Sequence, residues 1–454
     1  MTEATIFALA TAPGRSGVAM LRVSGPAAAE AVRRLGVEPL PAPRRATRRR
    51  ISHPADGTPI DDAILLWFPG PASFTGEDVL ELHLHGGPAV LARALDALGR
   101  IAGFRIAEPG EFTKRAFLNG KLDLTAAEGL ADLVMAETEA QRKLALRQLE
   151  GELGRLYESW RARLVGMLAV LEAAIDFPDE DLPAGLIERV REGISTLGRE
   201  IAAHIGDAHR GERLRDGLSV ALVGPPNSGK SSIFNYLVKR DAAIVSAVAG
   251  TTRDVIEAHL DIGGYPVILA DTAGLRLSAD EIETEGVRRA MARARAADLW
   301  IGVLDASAPG AIPAALRALP ATRAILVANK ADLAPGPVEA PVEAPVEAQL
   351  AIDGVAALAV SARTGAGMDA LRDRLGRMAA SALAVGASPV LTRARHREAL
   401  EAAAAALDRA GRAELPELLA EDLRLATRSV GRITGRVDVE DILDRIFAQF
   451  CIGK

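Results

Sequence analysis

Residues 224–231 run Gly-Pro-Pro-Asn-Ser-Gly-Lys-Ser, which fits the spacing G-x-x-x-x-G-K-[ST] of a phosphate-cradling loop. Glycines let backbone N–H groups close around a polyphosphate, with Asn227, Ser228, Gly229 and Ser232 lining the turn. Lys230 then reaches the β- and γ-phosphates, and the Ser231 hydroxyl binds Mg²⁺. Further motifs follow in order. Gly250-Thr-Thr-Arg-Asp254 offers a hydroxyl, best placed on Thr252, that completes the Mg²⁺ shell only while the γ-phosphate is present. In Asp271-Thr272-Ala273-Gly274 the carboxylate faces Mg²⁺ through water and the Gly274 N–H approaches the γ-phosphate. Asn329-Lys330-Ala331-Asp332 names the base. The Asp332 carboxylate takes hydrogen bonds from guanine N1–H and the 2-amino group, and adenine would leave that charge unpaired. Ser361-Ala362-Arg363 closes the guanine pocket from the other side, so the expected substrate is GTP.

Two departures from the common pattern bear on hydrolysis. Leu275 stands where many GTPases carry a glutamine after Asp-x-x-Gly, and leucine cannot orient water or take a proton. Asn227 can offer a side-chain carbonyl to a monovalent cation beside the phosphates. Such a K⁺ would neutralise the charge that an arginine finger handles elsewhere, worth roughly three to five powers of ten in rate. Glu281, Glu283 and Glu285 are all eligible to hold the attacking water.

These residues need strand ends and helix starts to position them. Leu218–Val223 reads as a buried strand before the phosphate loop and Ser232–Lys239 as a helix after it. Tyr265–Ala270, Ala324–Ala328 and Ala356–Val360 read as strands that deliver the later motifs. Towards the N-terminus, Thr5–Ala10, Gly17–Val23 and Ala63–Phe68 look like strands, with helical spacing over Pro26–Leu35 and Pro88–Ala102. In Phe74–Gly87, alternation sets Leu80, Leu82 and Leu84 on one face and Glu81, His83 and His85 on the other. The cluster Arg44, Arg45, Arg48, Arg49 and Arg50 suits either phosphate contact or a solvated edge strand. Asp123–Leu156 reads as one long amphipathic helical pattern with a capping box at Thr125 and Glu128. Ser159–Ala174 and Leu186–Arg215 continue helically around an acidic turn at Asp176–Pro183. Leu383–Ala410, Leu415–Ser429 and Glu440–Phe450 supply helices after the nucleotide motifs. The Pro-Val-Glu-Ala repeat within Pro335–Ala348 reads as a mobile loop insertion.

The 454 residues imply two to four domains, and the net charge of -6 does not suggest a global nucleic-acid binder, so any RNA contact must come from a local patch or a partner. One cysteine, Cys451, excludes an intramolecular disulfide. There is neither an 18-residue apolar run nor a secretion-signal layout, so the expectation is a soluble cytoplasmic protein without membrane contact.

The order of motifs resembles the tRNA-modifying GTPase family MnmE, or TrmE, along essentially the whole chain. The most specific pieces are Pro13–Gly17, Phe74–Asp78, Pro109–Asp123, Asp176–Pro178, Gly250–Asp254, Ile433–Arg436 and the Phe450-Cys-Ile-Gly-Lys454 terminus. The resemblance implies an α/β and α multidomain fold. Its parts would be an N-terminal α/β folate-binding and dimerisation domain over 1–118, a split helical domain over 119–215 and 376–454, and an inserted Ras-like P-loop domain with a mostly parallel sheet over 216–375. It implies a homodimer working with an FAD-dependent partner, MnmG or GidA, to place a carboxymethylaminomethyl-type group on C5 of the wobble uridine of certain tRNAs. A tetrahydrofolate would supply the one-carbon unit, and the FAD would sit on the partner. Folate contacts would fall on Arg22, Glu81, Lys121 and Lys454. K⁺ would sit against Asn227, Ser246, Val248 and Thr251, with Ser246 and Thr251 also near the nucleotide and Thr252 on Mg²⁺. Ser246 and Val248 replace the Thr and Ile more usual there. Glu283 matches the water-positioning glutamate, which joins Asn227 and Lys230 as catalytic, and Cys451 matches the tail cysteine. The competing reading is a ribosome-assembly or signalling switch without tRNA-modifying activity, for which a KH-type loop or a basic domain would be expected.

Overall fold

The computed structural model describes residues 4–177, 185–241, 256–271, 288, 291–308, 311–334, 349–352, 355–386, 388–437, 440–448, 450 and 452–453. The chain divides into two compact units. One comprises residues 1–131, 148–195 and 405–454, the other 132–147 and 196–404.

In the first unit six strands form one sheet: β1 (Thr5–Leu9), β2 (Ser16–Ser24), β3 (Thr47–Ser52), β4 (Pro59–Phe68), β5 (Val79–Gly86) and β6 (Phe104–Ile106), in the order β3-β4-β5-β2-β1-β6. All pairs are antiparallel except β1 with β6. The two-residue period puts Leu80, Leu82 and Leu84 into the core, with Leu21, Val23, Ala63 and Leu65 from the neighbouring strands. Helices Ala28–Arg34 and Pro88–Gly99 cover that face through Ala31, Val32, Ala94 and Leu98. Glu81, His83 and His85 point the other way, as the alternation requires. In the helical part of this unit, Glu152–Asp176 lies along Pro416–Thr434, joined by Arg424 to Glu172 at 3.1 Å and by the Thr434 hydroxyl to Glu158 at 2.8 Å.

The long pattern expected over Asp123–Leu156 is three pieces: Leu124–Met135, Glu139–Leu149 and the start of Glu152–Asp176. Local polar chemistry breaks it twice. Gln141 Oε1 accepts from the Glu137 and Thr138 N–H groups, each at 3.1 Å, while Thr138 Oγ1 accepts from the Gln141 N–H at 3.4 Å, a reciprocal capping box. Gly151, at φ 81°, then takes the left-handed turn that ends the second piece. The expected cap at Thr125 is also displaced. Asp123 Oδ1 accepts the Ala126 N–H at 2.9 Å and the Thr125 hydroxyl at 2.7 Å, so the carboxylate two residues earlier does the capping. Two other helical stretches differ. Leu186–Arg215 divides at Asp207 into Leu186–Gly206 and Ala208–Asp216, and Leu383–Ala410 is the end of Met368–Leu383 followed, after a connection, by Ala394–Arg412.

The second unit contains a seven-stranded sheet of β7 (Leu218–Val223), β8 (Ile256–Ile262), β9 (Tyr265–Asp271), β10 (Leu299–Asp305), β11 (Ala324–Asn329), β12 (Gln349–Ile352) and β13 (Val355–Ala359). The order is β12-β13-β11-β10-β7-β9-β8, with five central strands parallel and the two outermost antiparallel. Helices on both faces explain why β7 and β10 are apolar almost throughout. Val220, Leu222, Ile301 and Val303 meet Ile233 and Leu237 on one face, while Ala221, Val223, Trp300 and Leu304 meet Leu316 and Leu319 on the other. The chain leaves β7 for β9 on one side and returns to β10 on the other, so the crevice beyond the end of β7 is a topological switch point, where open α/β sheets bind ligands.

Candidate nucleotide site

The phosphate loop lies in that crevice, between the end of β7 and the helix Lys230–Asp241. Its backbone requires its residue types. Gly224 has φ 156° and a Cβ there would strike the Val303 carbonyl; Gly229 has φ 91° and a Cβ would strike Asn329 Nδ2. Asn227 holds φ 57°, a left-handed conformation that asparagine tolerates better than most residues. Lys230 Nζ donates to the carbonyls of Gly224 and Pro225 at 3.0 and 2.8 Å, which keeps the ammonium over the loop. Ser228 is 1% exposed, and its hydroxyl has no hydrogen-bond partner among the described residues. A buried free hydroxyl in a cradle of N–H groups and one ammonium fits a phosphate oxygen. Ser231 and Ser232 are exposed at the helix start.

Asn329, at the end of β11 and 2% exposed, ties the expected motifs together. Its Nδ2 donates to the Ser228 carbonyl at 2.9 Å and its Oδ1 accepts from the Ala362 N–H at 3.2 Å. Phosphate loop, base-reading segment and the 361–363 segment are thus locked to one buried amide. Beyond it, Asp332 accepts from Arg363 Nη2 at 2.6 Å and Nε at 3.2 Å. Hydrogen bonding from Ser361, ahead of that from Arg363, holds the Asp332 carboxyl below the usual aspartate range. Lys330 takes a left-handed φ of 62° and its Nζ reaches Asp305 Oδ2 at 2.6 Å. Burial works against an ionised Asp305, yet hydrogen bonds from Lys330 and Ser307 prevail and lower its pKa. Asp305 is absent from the sequence reading. The signal for it is an apolar run ending in aspartate at the tip of a parallel strand, the pattern that also marks Asp271.

Asp271 ends β9, at the same edge of the sheet. Ser246, Val248, Thr251, Thr252, Thr272, Ala273, Gly274, Glu283, Cys451, Lys454 and the Pro-Val-Glu-Ala repeat lie outside the described residues.

Residues 5–121 match the family model of the GTP-binding protein TrmE N-terminus, and residues 124–451 match the MnmE helical domain. The tRNA modification GTPase MnmE of Rhodospirillum rubrum is 55% identical over 467 aligned positions, covering 100% of both chains. That of Parvibaculum lavamentivorans is 56% identical, covering 99% of this chain and 100% of its own. This chain belongs to the MnmE family of tRNA modification GTPases.

The MnmE-type N-terminal unit holds a second cluster. Arg22 on β2 donates to Glu81 Oε1 on β5 through Nε and Nη2, at 3.1 and 2.9 Å. Its guanidinium lies 5.5 and 5.8 Å from the ring centres of Phe74 and Phe112. Neither ring is marked by spacing or composition, although Phe74 lies in Phe74–Asp78 and Phe112 in Pro109–Asp123, two of the most family-specific segments. Lys121 donates to the Pro71 carbonyl at 3.0 Å, and no hydrogen bond or ion pair joins it to Arg22 or Glu81 among the described residues. His83 Nε2 is 3.6 Å from Glu81 and His85 Nδ1 is 2.8 Å from Asp61. The tail returns to this unit: Ile452 bridges Pro109, and a Cβ on Gly453 would strike the Leu9 carbonyl. Among the described residues no helix is long and apolar enough to cross a membrane.

Proposed function

We propose that this chain hydrolyses GTP with the help of K⁺ and couples turnover to modification of the wobble uridine of certain tRNAs. The observation that carries the first half is the Asn329 amide, which fixes a phosphate cradle and a guanine-reading carboxylate on one rigid frame. Lys230 binds the β- and γ-phosphates, and Asp332 selects guanine by accepting two hydrogen bonds. Ser231, Thr252 and Asp271 would hold Mg²⁺, directly or through water. Asn227, Ser246, Val248 and Thr251 would hold K⁺, and the cations would neutralise charge developing between the phosphates. Glu283 positions the attacking water, a role that Leu275 cannot take.

The second half rests on family membership and on the Arg22–Glu81 pair. A carboxylate paired with an arginine that itself lies against two aromatic rings suits a flat heterocycle with N–H donors, such as a tetrahydrofolate pterin. Lys121 and Lys454 would bind its acidic tail, and Cys451 would stand near the transferred carbon. The division into 1–118, 119–215, 216–375 and 376–454, a homodimer through the first of these, an FAD-dependent MnmG-type partner and a cytoplasmic setting belong to the same proposal. Val18 and Ile64, large apolar side chains 57% and 45% accessible on β2 and β4, support a second copy there.

GTP turnover compared in KCl and NaCl tests the cation; equal rates defeat it. Mass spectrometry of tRNA nucleosides from a deletion strain tests the pathway. Unaltered wobble uridines there would leave only a GTPase switch.

A further inference from the structure

Neither site uses the five arginines between residues 44 and 50. The stretch 39–55 has no acidic residue, in a chain whose net charge is -6. Among the described residues β3 has β4 as its only strand partner, and apart from Ser52, which donates to the Leu35 carbonyl at 2.9 Å, its other edge is unpaired. Arg48 and Arg50 are 77% and 67% exposed along their side chains and share a single carboxylate, Asp62, at 3.1 and 3.0 Å. Arg49 donates to the Arg48 carbonyl at 3.0 Å and Arg44 to the Ala72 carbonyl. No carboxylate is recorded against Arg44, Arg45 or Arg49 among the described residues. One negative charge therefore faces five positive ones.

Keeping the edge from pairing with another strand needs a charge or two. Five guanidiniums set against one carboxylate repel one another more than protecting an edge requires. Successive strand residues leave on opposite sides, so Arg48 and Arg50 stand about 6.6 Å apart on one side with Arg49 on the other. That is a rail of positive charge along an edge, and residues 44–50 contain no aromatic or large aliphatic anchor of the kind protein interfaces use. We propose that the turn before β3 and its outer edge bind the phosphate backbone of RNA. This rests on the reading above that RNA is what the protein acts on, and adds where on the chain it is held.

The test is binding of a labelled tRNA to the full chain, followed by fluorescence anisotropy across a salt series. Wild-type protein is compared with R45Q/R48Q/R49Q and with R45K/R48K/R49K. Each phosphate contact contributes about 0.7–0.9 to the slope of log K against log salt. The glutamine triple is expected to weaken binding at least about tenfold at low salt and lower that slope by about 2. The lysine triple keeps the slope, and GTP turnover is unchanged in both. Unaltered affinity and slope in the glutamine triple overturn the proposal. So does competition by poly-glutamate that the triple abolishes while tRNA binding persists, since the rail would then serve an acidic protein. A wild-type chain that ignores tRNA altogether instead removes the functional reading underneath.

Discussion

Asn329 and Asp332 divide the work of reading a base. The first is a buried amide whose two ends are spent on backbone partners, so it fixes geometry, and the second presents charge. Asp332→Asn offers one acceptor and one donor where guanine brings two donors. GTP affinity is expected to fall by about two to four powers of ten, while a xanthine nucleotide, with an oxygen at position 2, binds better than it does to wild type. Competition between the two triphosphates measures this directly. The carboxyl at Asp332 is already held below its usual range, chiefly by Ser361 and then by Arg363. Its charge, and with it guanine affinity, is present above the ordinary aspartate pKa and is lost only as pH falls through the lowered value. Affinity is therefore expected to stay flat over the near-neutral and mildly acidic range. Gly229→Ala acts differently: the added carbon meets the Asn329 amide at a φ of 91°. Nucleotide binding should fail in this variant while the rest of the sheet keeps its hydrogen-exchange protection.

Elements carry these residues, and the β8–β9 hairpin shows how. Its tip is Gly263 and Gly264, at φ 64° and 86°, between the paired Ile262 and Tyr265, a two-residue turn of the twist-matching kind. The Gly264 carbonyl accepts the Ala140 N–H at 3.0 Å, and Leu144 from the same helix, Glu139–Leu149, joins Ile262 and Val267 in the core. Gly264→Ala leaves the added Cβ no closer than 3.9 Å to Glu139, so any cost is the left-handed backbone, about 1–2 kcal/mol. Gly264→Asn should cost less, because asparagine tolerates that region. Denaturant midpoints of the two variants test the order. Much at this scale was legible: every strand end that delivers a nucleotide motif follows from an apolar run and a polar stop. The misplaced helix breaks share one cause. The Thr138–Gln141 box and the Asp123 cap compete with an unbroken 3.6-residue pattern, and periodicity alone does not see side-chain hydrogen bonds. The helix Met368–Leu383 falls between the Ser361–Arg363 motif and the alanine-rich stretch from Leu383, and only its last residue lies within an expected helix. The Arg22–Glu81 pair was placed only through family resemblance, since its partners are 59 residues apart and meet by strand register.

Across the whole molecule, ionisable groups make stability depend on pH, and one group separates from the rest. Most shifted carboxyls are lowered by arginine partners, so their contribution is lost progressively as pH falls below about 5; Glu139, lowered to about 2 chiefly by Arg142, is typical. His204, on the helix Leu186–Gly206, is lowered from 6.5 to about 4 by burial, against an opposing pull from Asp207. Between those values the unfolded chain binds a proton that the folded chain refuses. Stability therefore rises with pH through this window and falls as pH drops from about 6.5 towards 4, by up to about 3 kcal/mol in all. Lowered carboxyls begin to release their own contribution only below about pH 5, so a loss between about pH 6.5 and 5 reports the histidine. His204→Gln keeps a polar side chain of similar reach without a titrating proton, and its pH dependence there should be flat. Because the chain has two units, a global melting curve would mix them. Hydrogen exchange at the β7, β10 and β11 amides, measured across the window in both proteins, reads the unit that contains His204. Equal slopes in wild type and variant would mean that the ring is solvated and the helix packs differently around it.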